Sequence, residues 1–147
     1  MDIIKEVSIK VEGYLKNTYG EKGYDKVSEN LFVTRRGSTF VYIYIQESSH
    51  KDEAIVLCRA AVVKGARLDE DLMYNLLRMN NKNVFGRFSI DEDGYVLLDH
   101  ILLGSTLDEK ELITSIVHVG VIADEMDDKI IEEHGGLTAV DDLLENF

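Results

Sequence analysis

Proline is absent from the 147-residue sequence, and cysteine occurs only once, at Cys58. The lack of proline excludes a proline-rich linker and a PxxP ligand. A single cysteine cannot form an internal disulfide, which favours a reducing, cytoplasmic location. The sequence also lacks the run of about 18 apolar residues that crosses a bilayer and the apolar N-terminal segment of a signal peptide. We therefore expect a cytoplasmic protein that does not insert into a membrane.

Basic residues are scarce as well, because 16 Lys and Arg stand against 28 Asp and Glu and leave a formal net charge of −12. The excess of acids lies in the second half of the chain. Residues 1–67 include 11 basic and 9 acidic residues, whereas residues 68–147 include 5 basic and 19 acidic residues. Such a charge repels the phosphates of nucleic acids and anionic lipid headgroups. Neither nucleic acid nor a membrane surface is expected as a partner, and the acidic part is either a solvated face or a surface for a basic partner.

The N-terminal half reads as a helix followed by three strands. Apolar residues recur at helical spacing over residues 2–19, which predicts an amphipathic helix. Residues 31–36 and 38–47 are rich in β-branched and aromatic residues and flank Gly37, as in a tight hairpin. Residues 53–66 are apolar on both faces for much of their length, which is typical of a central strand.

The second half reads as a helix, a hairpin and a long helix. Asp69 is placed to cap a helix that runs to Met79. Residues 84–90 and 94–102 flank the turn Asp91-Glu92-Asp93-Gly94 and predict a second hairpin. A helical stripe covers residues 107–134, with Thr106 as its expected cap, although a strand in its β-branched middle is the alternative.

These elements predict an α+β fold in which an antiparallel sheet of five strands is flanked by helices, in the order α-β-β-β-α-β-β-α. We expect a single domain over residues 1–135 and an acidic tail over 136–147. The apolar stripe of the last helix thins after Ala123 while acids accumulate, so its second half is expected to project and to be weakly held.

The motifs that could carry chemistry are incomplete. The acidic turn lacks the bidentate glutamate that closes a calcium loop, and Ser48-Ser49-His50 lacks the surroundings of a nucleophile. Cys58 lies in a predicted strand and reads as a core residue. The histidines fall in four different predicted elements without the pairing of a zinc site: His50, His100, His118 and His134. No catalytic, cofactor-binding or metal-ligating residue is therefore predicted, and no cofactor.

Two apolar features suggest binding of another protein. The helix that begins after Asp69 has a stripe wider than one sheet face needs, which predicts a partner or dimer interface. This stripe consists of Leu72, Met73, Leu76, Leu77 and Met79. Phe40, Tyr42 and Tyr44 alternate along a strand and read as a sheet face or an interface, since the net charge argues against base stacking.

The segment Leu72–Leu103 resembles the YbjN-like branch of the type III secretion chaperone-like fold. The matching features are a helix that ends in Leu-Leu-x-x-Asn, a strand with a small and then an aromatic residue, an acidic-Gly hairpin and an apolar strand. They are carried by Leu76, Leu77, Asn80, Gly86, Phe88, Asp91, Asp93, Gly94, Val96 and Leu98. The resemblance implies an α+β domain that dimerises and holds other proteins ready for binding, or acts as a regulator, without catalytic residues.

We therefore expect a non-enzymatic, chaperone-like or regulatory protein-binding module that forms a homodimer and binds a further protein. The alternative is a small enzyme or ligand sensor whose site is assembled from residues scattered along the sequence.

Overall fold

The computed structural model describes residues 2–50 and 52–145. Four helices are present in these ranges: α1 (Ile3–Tyr19), α2 (Glu70–Lys82), α3 (Glu109–His134) and α4 (Ala139–Glu145). Six strands accompany them: β1 (Asp25–Ser28), β2 (Leu31–Arg36), β3 (Thr39–Glu47), β4 (Ala54–Val63), β5 (Arg87–Ile90) and β6 (Val96–Leu103).

The strands form one antiparallel sheet in the order β1-β2-β3-β4-β6-β5. The predicted α+β class and the antiparallel sheet are confirmed, but the prediction of five strands is wrong. The missed strand, β1, is a four-residue edge strand whose residues are all exposed. Val27 is its one apolar residue, so the strand has no alternation from which it could be recognised.

Helices α1 and α3 cover one face of the sheet. Val41, Ile43 and Ile45 of β3 point to this face and are buried. They form one core cluster with Val11 of α1 and Val119 of α3. Cys58 of β4 lies opposite Ile43 in the ladder and is fully buried, as predicted. Burial raises the pKa of the Cys58 thiol to about 12.

Both predicted hairpins are present. Gly37 and Gly94 adopt the positive φ angles of 57° and 84° that tight turns require. In the second hairpin, Asp91 Oδ1 accepts hydrogen bonds from the amides of Asp93 at 3.0 Å and Tyr95 at 2.9 Å. This carboxylate therefore stabilises the turn.

The helix ends differ from the prediction at two places. Asp69 caps α2 as expected, since its Oδ1 accepts a hydrogen bond from the Leu72 amide at 2.9 Å. Asp108, not Thr106, caps α3, because its extended backbone brings the carboxylate to the Glu111 amide at 2.8 Å. Helix α2 also continues to Lys82 instead of ending at Met79.

The second half of α3 does not project, so that prediction is wrong. Asp127, Ile130 and His134 are all buried. Beyond the helix, Leu137 forms a β-bridge with Lys64, with N–O distances of 2.9 and 3.0 Å, and Thr138 is buried. The division of the chain at residue 135 stays a prediction, but the described part of the expected tail contacts the sheet.

Candidate protein-binding surface

The sheet carries an apolar surface on the side opposite α1 and α3. Strand register aligns Leu31 of β2 with Tyr44 of β3, Tyr44 with Leu57 of β4, and Leu57 with Ile101 of β6. Neighbouring rows add further apolar side chains on the same side. We call this surface the open face and define it as Leu31, Val33, Tyr42, Tyr44, Ile55, Leu57, Ile101 and Leu103.

Part of the open face is accessible to solvent, although Leu57 in its central row is buried. Tyr42, Tyr44 and Leu103 are exposed, and 57% of Ile101 is accessible. Single exposed apolar residues are normal on a protein surface, whereas a contiguous group marks an interaction site. The alternation of Tyr42 and Tyr44 in the sequence predicts a sheet face or an interface, and both residues lie on this surface. Leu57 and Ile101 could not be predicted from the sequence, because their place beside Tyr44 depends on the pairing of strands that are distant in the chain.

Charged side chains interrupt the open face in one row. Arg59 of β4 forms a bidentate pair with Asp99 of β6, with both N–O distances at 2.7 Å. The hydrogen bonds to Asp99 raise the pKa of Arg59. Arg35 and Arg87 occupy positions of the same side near its ends, through their register with Phe40 and Asp99. This side of the sheet is thus not dominated by the acids that set the net charge.

Helix α2 exposes only part of the predicted stripe. Leu72 and Leu76 are buried in the core cluster, and Met79 packs against that cluster. Met73 is exposed, together with Tyr74 and with Leu77, of which 71% is accessible. Tyr74 was missed because helical spacing defines a stripe but not which flank of it meets the core.

A groove of about 270 Å³ lies between α2 and the second half of α3. Its apolar lining comes from both helices: Leu72, Leu76, Met79, Met126 and Ile130. Lys82, Lys129, Glu133 and His134 lie around it. The groove therefore combines an apolar floor with a charged rim.

Asn80 closes part of the sheet edge formed by β5. Its Oδ1 accepts a hydrogen bond from the Phe88 amide at 2.6 Å, and its Nδ2 donates one to the Phe88 carbonyl at 3.1 Å. The amide and the carbonyl of Phe88 are therefore not available to pair with a strand added at the β5 edge. The two hydrogen bonds also hold the last turn of α2, which explains both its continuation past Met79 and the asparagine of the signature.

Two histidines that are distant in sequence lie beside one aromatic ring. Phe85 stacks on His118, with ring centroids 4.4 Å apart, and its centroid lies 5.2 Å from that of His100. His100 Nδ1 accepts a hydrogen bond from the Gly86 amide at 3.2 Å. Burial lowers the pKa of His100. This arrangement packs the start of β5 against α3.

A third histidine lies among carboxylates. Asp69, Asp71 and His134 each offer one atom that could bind a metal ion, and these three atoms all lie within 4.8 Å of one another. No other such group of three or more is found in residues 2–50 and 52–145. This group could not be predicted from the sequence, because more than sixty residues separate the two acids from the histidine. Among the described residues, no helix combines the length and the apolar character needed to cross a membrane.

Comparison with known proteins identifies the family. Residues 6–142 match the family described as T3SS (YopN, CesT) and YbjN peptide-binding chaperone 1. None of the curated proteins matches the chain. The chain belongs to this peptide-binding chaperone family, which confirms the resemblance and the predicted chaperone-like, protein-binding function.

Two solved structures share the fold. The ExsC-ExsE complex matches with a TM-score of 0.67 and 16% sequence identity, over 88% of this chain and 97% of that chain. The Yersinia pestis type III secretion chaperone SycH, in complex with a stable fragment of YscM2, matches with a TM-score of 0.53 and 18% identity. That match covers 80% of this chain and 96% of that chain.

Proposed function

We propose that the protein is a non-enzymatic, cytoplasmic chaperone whose open face binds an apolar, non-globular segment of a partner protein. The observation that carries the proposal is the row of Leu31, Tyr44, Leu57 and Ile101, which the register aligns across four strands. Membership of a peptide-binding family supports a peptide ligand. Both similar structures, the ExsC-ExsE complex and SycH with a fragment of YscM2, contain a second protein.

The shape of the row indicates what it can hold. Neighbouring strands lie about 4.8 Å apart, so the row extends for about 14 Å. Tyrosine side chains offer a large contact area with few rotatable bonds, which limits the entropy lost on binding. An apolar stretch of a partner would cover the exposed parts of Tyr44 and Ile101 and remove them from water.

The experiment compares two isoleucines of equal exposure. Ile101 on the open face and Ile9 on α1 are each 57% exposed, so Ile101→Asp and Ile9→Asp place the same charge at equally accessible positions. The probes are fluorescein-labelled apolar peptides of about 15 residues, which span about 22 Å as a helix, and binding is followed by fluorescence anisotropy. We expect Ile101→Asp to lower the affinity for the peptide that binds the wild type most tightly by roughly tenfold, about 1.4 kcal/mol. Ile9→Asp is expected to leave this affinity unchanged.

Equal binding by the wild type and both variants would contradict the proposal, because the open face would then take no part. An equal loss in both variants would also contradict it, since the effect would then come from charge alone. Circular dichroism of each variant checks that the fold is retained.

We further infer that the protein forms a homodimer through α2, and we revise the residues that make the contact. Leu72 and Leu76 are buried and pack α2 against the core cluster. Met73, Tyr74 and Leu77 are exposed on adjacent turns of α2. Met79 packs at the edge of the groove. We therefore propose that the dimer interface consists of Met73, Tyr74 and Leu77 and does not include the buried Leu72 and Leu76.

Light scattering of two leucine variants tests the dimer. Leu77 is 71% exposed and Leu144 of α4 is 66% exposed, so Leu144→Asp is the matched control for Leu77→Asp. We expect the wild type and Leu144→Asp to have the mass of a dimer and Leu77→Asp that of a monomer. A monomeric wild type at tens of micromolar, or a dimeric Leu77→Asp, would refute the inference.

A further inference from the structure

His134, the last residue of α3, is surrounded by acids in an unusual way. Its side chain is only 4% exposed, and neither ring nitrogen makes a hydrogen bond in the described part of the chain. A buried polar group without a hydrogen bond is unfavourable, because it has lost its hydrogen bonds to water. The imidazole therefore has two polar atoms that hydrogen bonding leaves unused.

The carboxylates lie on both sides of the ring. Nδ1 is 3.3 Å from Asp69 Oδ2, whereas Nε2 is 3.7 Å from Asp71 Oδ2 and 3.8 Å from Glu133 Oε2. The last two distances are too long for hydrogen bonds. They are close to the separation of two ligands of one metal ion, because ligand atoms about 2.1 Å from a tetrahedral zinc ion lie about 3.4 Å apart.

Asp69 is placed to orient the ring rather than to bind the ion. Its Oδ1 caps α2 through the Leu72 amide, and that bond holds the pKa of Asp69 below its usual value. Its Oδ2 faces Nδ1 and also accepts a hydrogen bond from Arg67 Nε at 3.1 Å. Although the 3.3 Å contact of Oδ2 with Nδ1 is not aligned as a hydrogen bond, a carboxylate beside Nδ1 favours the tautomer that has its proton on Nδ1 and leaves the lone pair of Nε2 free, as in many histidine metal sites.

We propose that His134 Nε2 and Asp71, two members of the three-residue group, bind a first-row divalent metal ion of the Zn²⁺ type, and that Glu133, which is outside the group but 3.8 Å from Nε2, turns toward the bound ion as a third ligand. One imidazole with carboxylates suits Zn²⁺, and the order of divalent affinities places Zn²⁺ above Mn²⁺. Asp71 and Glu133 are largely exposed, so both side chains can move toward the ion. A bound ion would link the start of α2 to the end of α3 beside the groove.

The test is a calorimetric titration of the full chain, without an affinity tag, with ZnCl₂, MnCl₂ and MgCl₂. We expect one Zn²⁺ per chain, weaker Mn²⁺ binding, and loss of roughly tenfold or more in Zn²⁺ affinity for Asp71→Asn. Asp71 is exposed, so this variant is expected to fold. His118→Asn and Asp93→Asn are the matched controls, because both residues are exposed and lie outside the cluster.

A second readout follows the ligand atom itself. Zinc is expected to move the ¹⁵N resonance of His134 Nε2 and to leave that of His118 in place. The proposal is overturned if Asp71→Asn binds zinc as tightly as the wild type or if the His134 resonance does not move. It is equally overturned if Mg²⁺ competes on equal terms, since the acids would then attract cations without a defined site.

Discussion

Replacing Asp127 with asparagine is expected to stabilise the protein at neutral pH more than at acidic pH. Asp127 is fully buried on α3, and its Oδ2 makes a short contact with the Ser38 hydroxyl. The same hydroxyl lies 2.8 Å from Asp124 Oδ1. Because a serine hydroxyl has one hydrogen, it can donate to only one of the two carboxyl groups. The other contact requires a proton on the acid.

The surroundings assign that proton to Asp127. Burial raises the pKa of Asp127, whereas hydrogen bonds from Ser38, led by its backbone amide at 2.9 Å, lower the pKa of Asp124. When Asp127 is protonated, it therefore donates to Ser38, which in turn donates to ionised Asp124. The chain of bonds ties α3 to the turn between β2 and β3.

The sign of the pH effect follows from the raised pKa. The stabilising contribution of Asp127 is complete below the pKa of the unfolded chain, about 3.9, and is lost as the pH rises through the higher pKa of the folded state. In the variant, the asparagine Nδ2 donates to Ser38 at every pH. Its Oδ1 still accepts the Asp128 amide, which binds Asp127 Oδ1 at 2.6 Å. We expect a gain of about 1–3 kcal/mol at neutral pH, the usual cost of an unmet buried polar group.

Urea unfolding at several pH values between about 4 and 8 measures the effect, because linkage makes the free energy of unfolding depend on pH. Asp128→Asn is the control, since Asp128 is exposed on the next residue and loses the same charge. The stability difference between Asp127→Asn and the wild type should grow as the pH rises and exceed that of the control. A difference that does not change with pH would refute the proton assignment.

Two further predictions concern the packing of the domain. Phe88→Ala is expected to cost about 3–5 kcal/mol in urea unfolding, because Phe88 is buried in the core cluster with Leu72 and Leu76; a loss below about 1 kcal/mol would contradict that packing. Deleting residues 136–147 is expected to lower the melting midpoint by about 2–4 °C for each kcal/mol lost, since it removes the Leu137 bridge to Lys64 and the Asp142–Lys64 ion pair; an unchanged midpoint in calorimetry would show that these contacts contribute nothing.

Most of the fold could be predicted because its signals are local. Gly37 and Gly94 indicate turns, because glycine adopts the positive φ angles that these turns require. Asp69 indicates the start of a helix, because its side chain can accept a hydrogen bond from an amide of the first turn. Strand β1 has no such signal. It pairs with β2 at the edge of the sheet, and its exposed residues have neither alternation nor a buried face.

The binding surface could be predicted only in part, because it depends on register. The alternation of Tyr42 and Tyr44 indicated an exposed face from the sequence alone. Leu57 and Ile101 lie beside the tyrosines but on strands β4 and β6, which come later in the chain. The sequence alone does not determine which residues of these strands pair with one another. On α2, likewise, the spacing predicts a stripe but not its orientation, so Leu72 and Leu76 are predicted at the surface although they are buried.

The second half of α3 shows how a charge pattern can mislead. Acids near a helix end were interpreted as repulsive and therefore as signs of weak packing. The helix instead directs Asp127 and His134, seven residues apart, to the same buried side as Ile130. Each of the two polar residues meets a group from another element, Ser38 for Asp127 and Asp69 for His134. Periodicity could have placed these residues on the apolar stripe, but only the tertiary structure shows which groups of other elements lie beside them there.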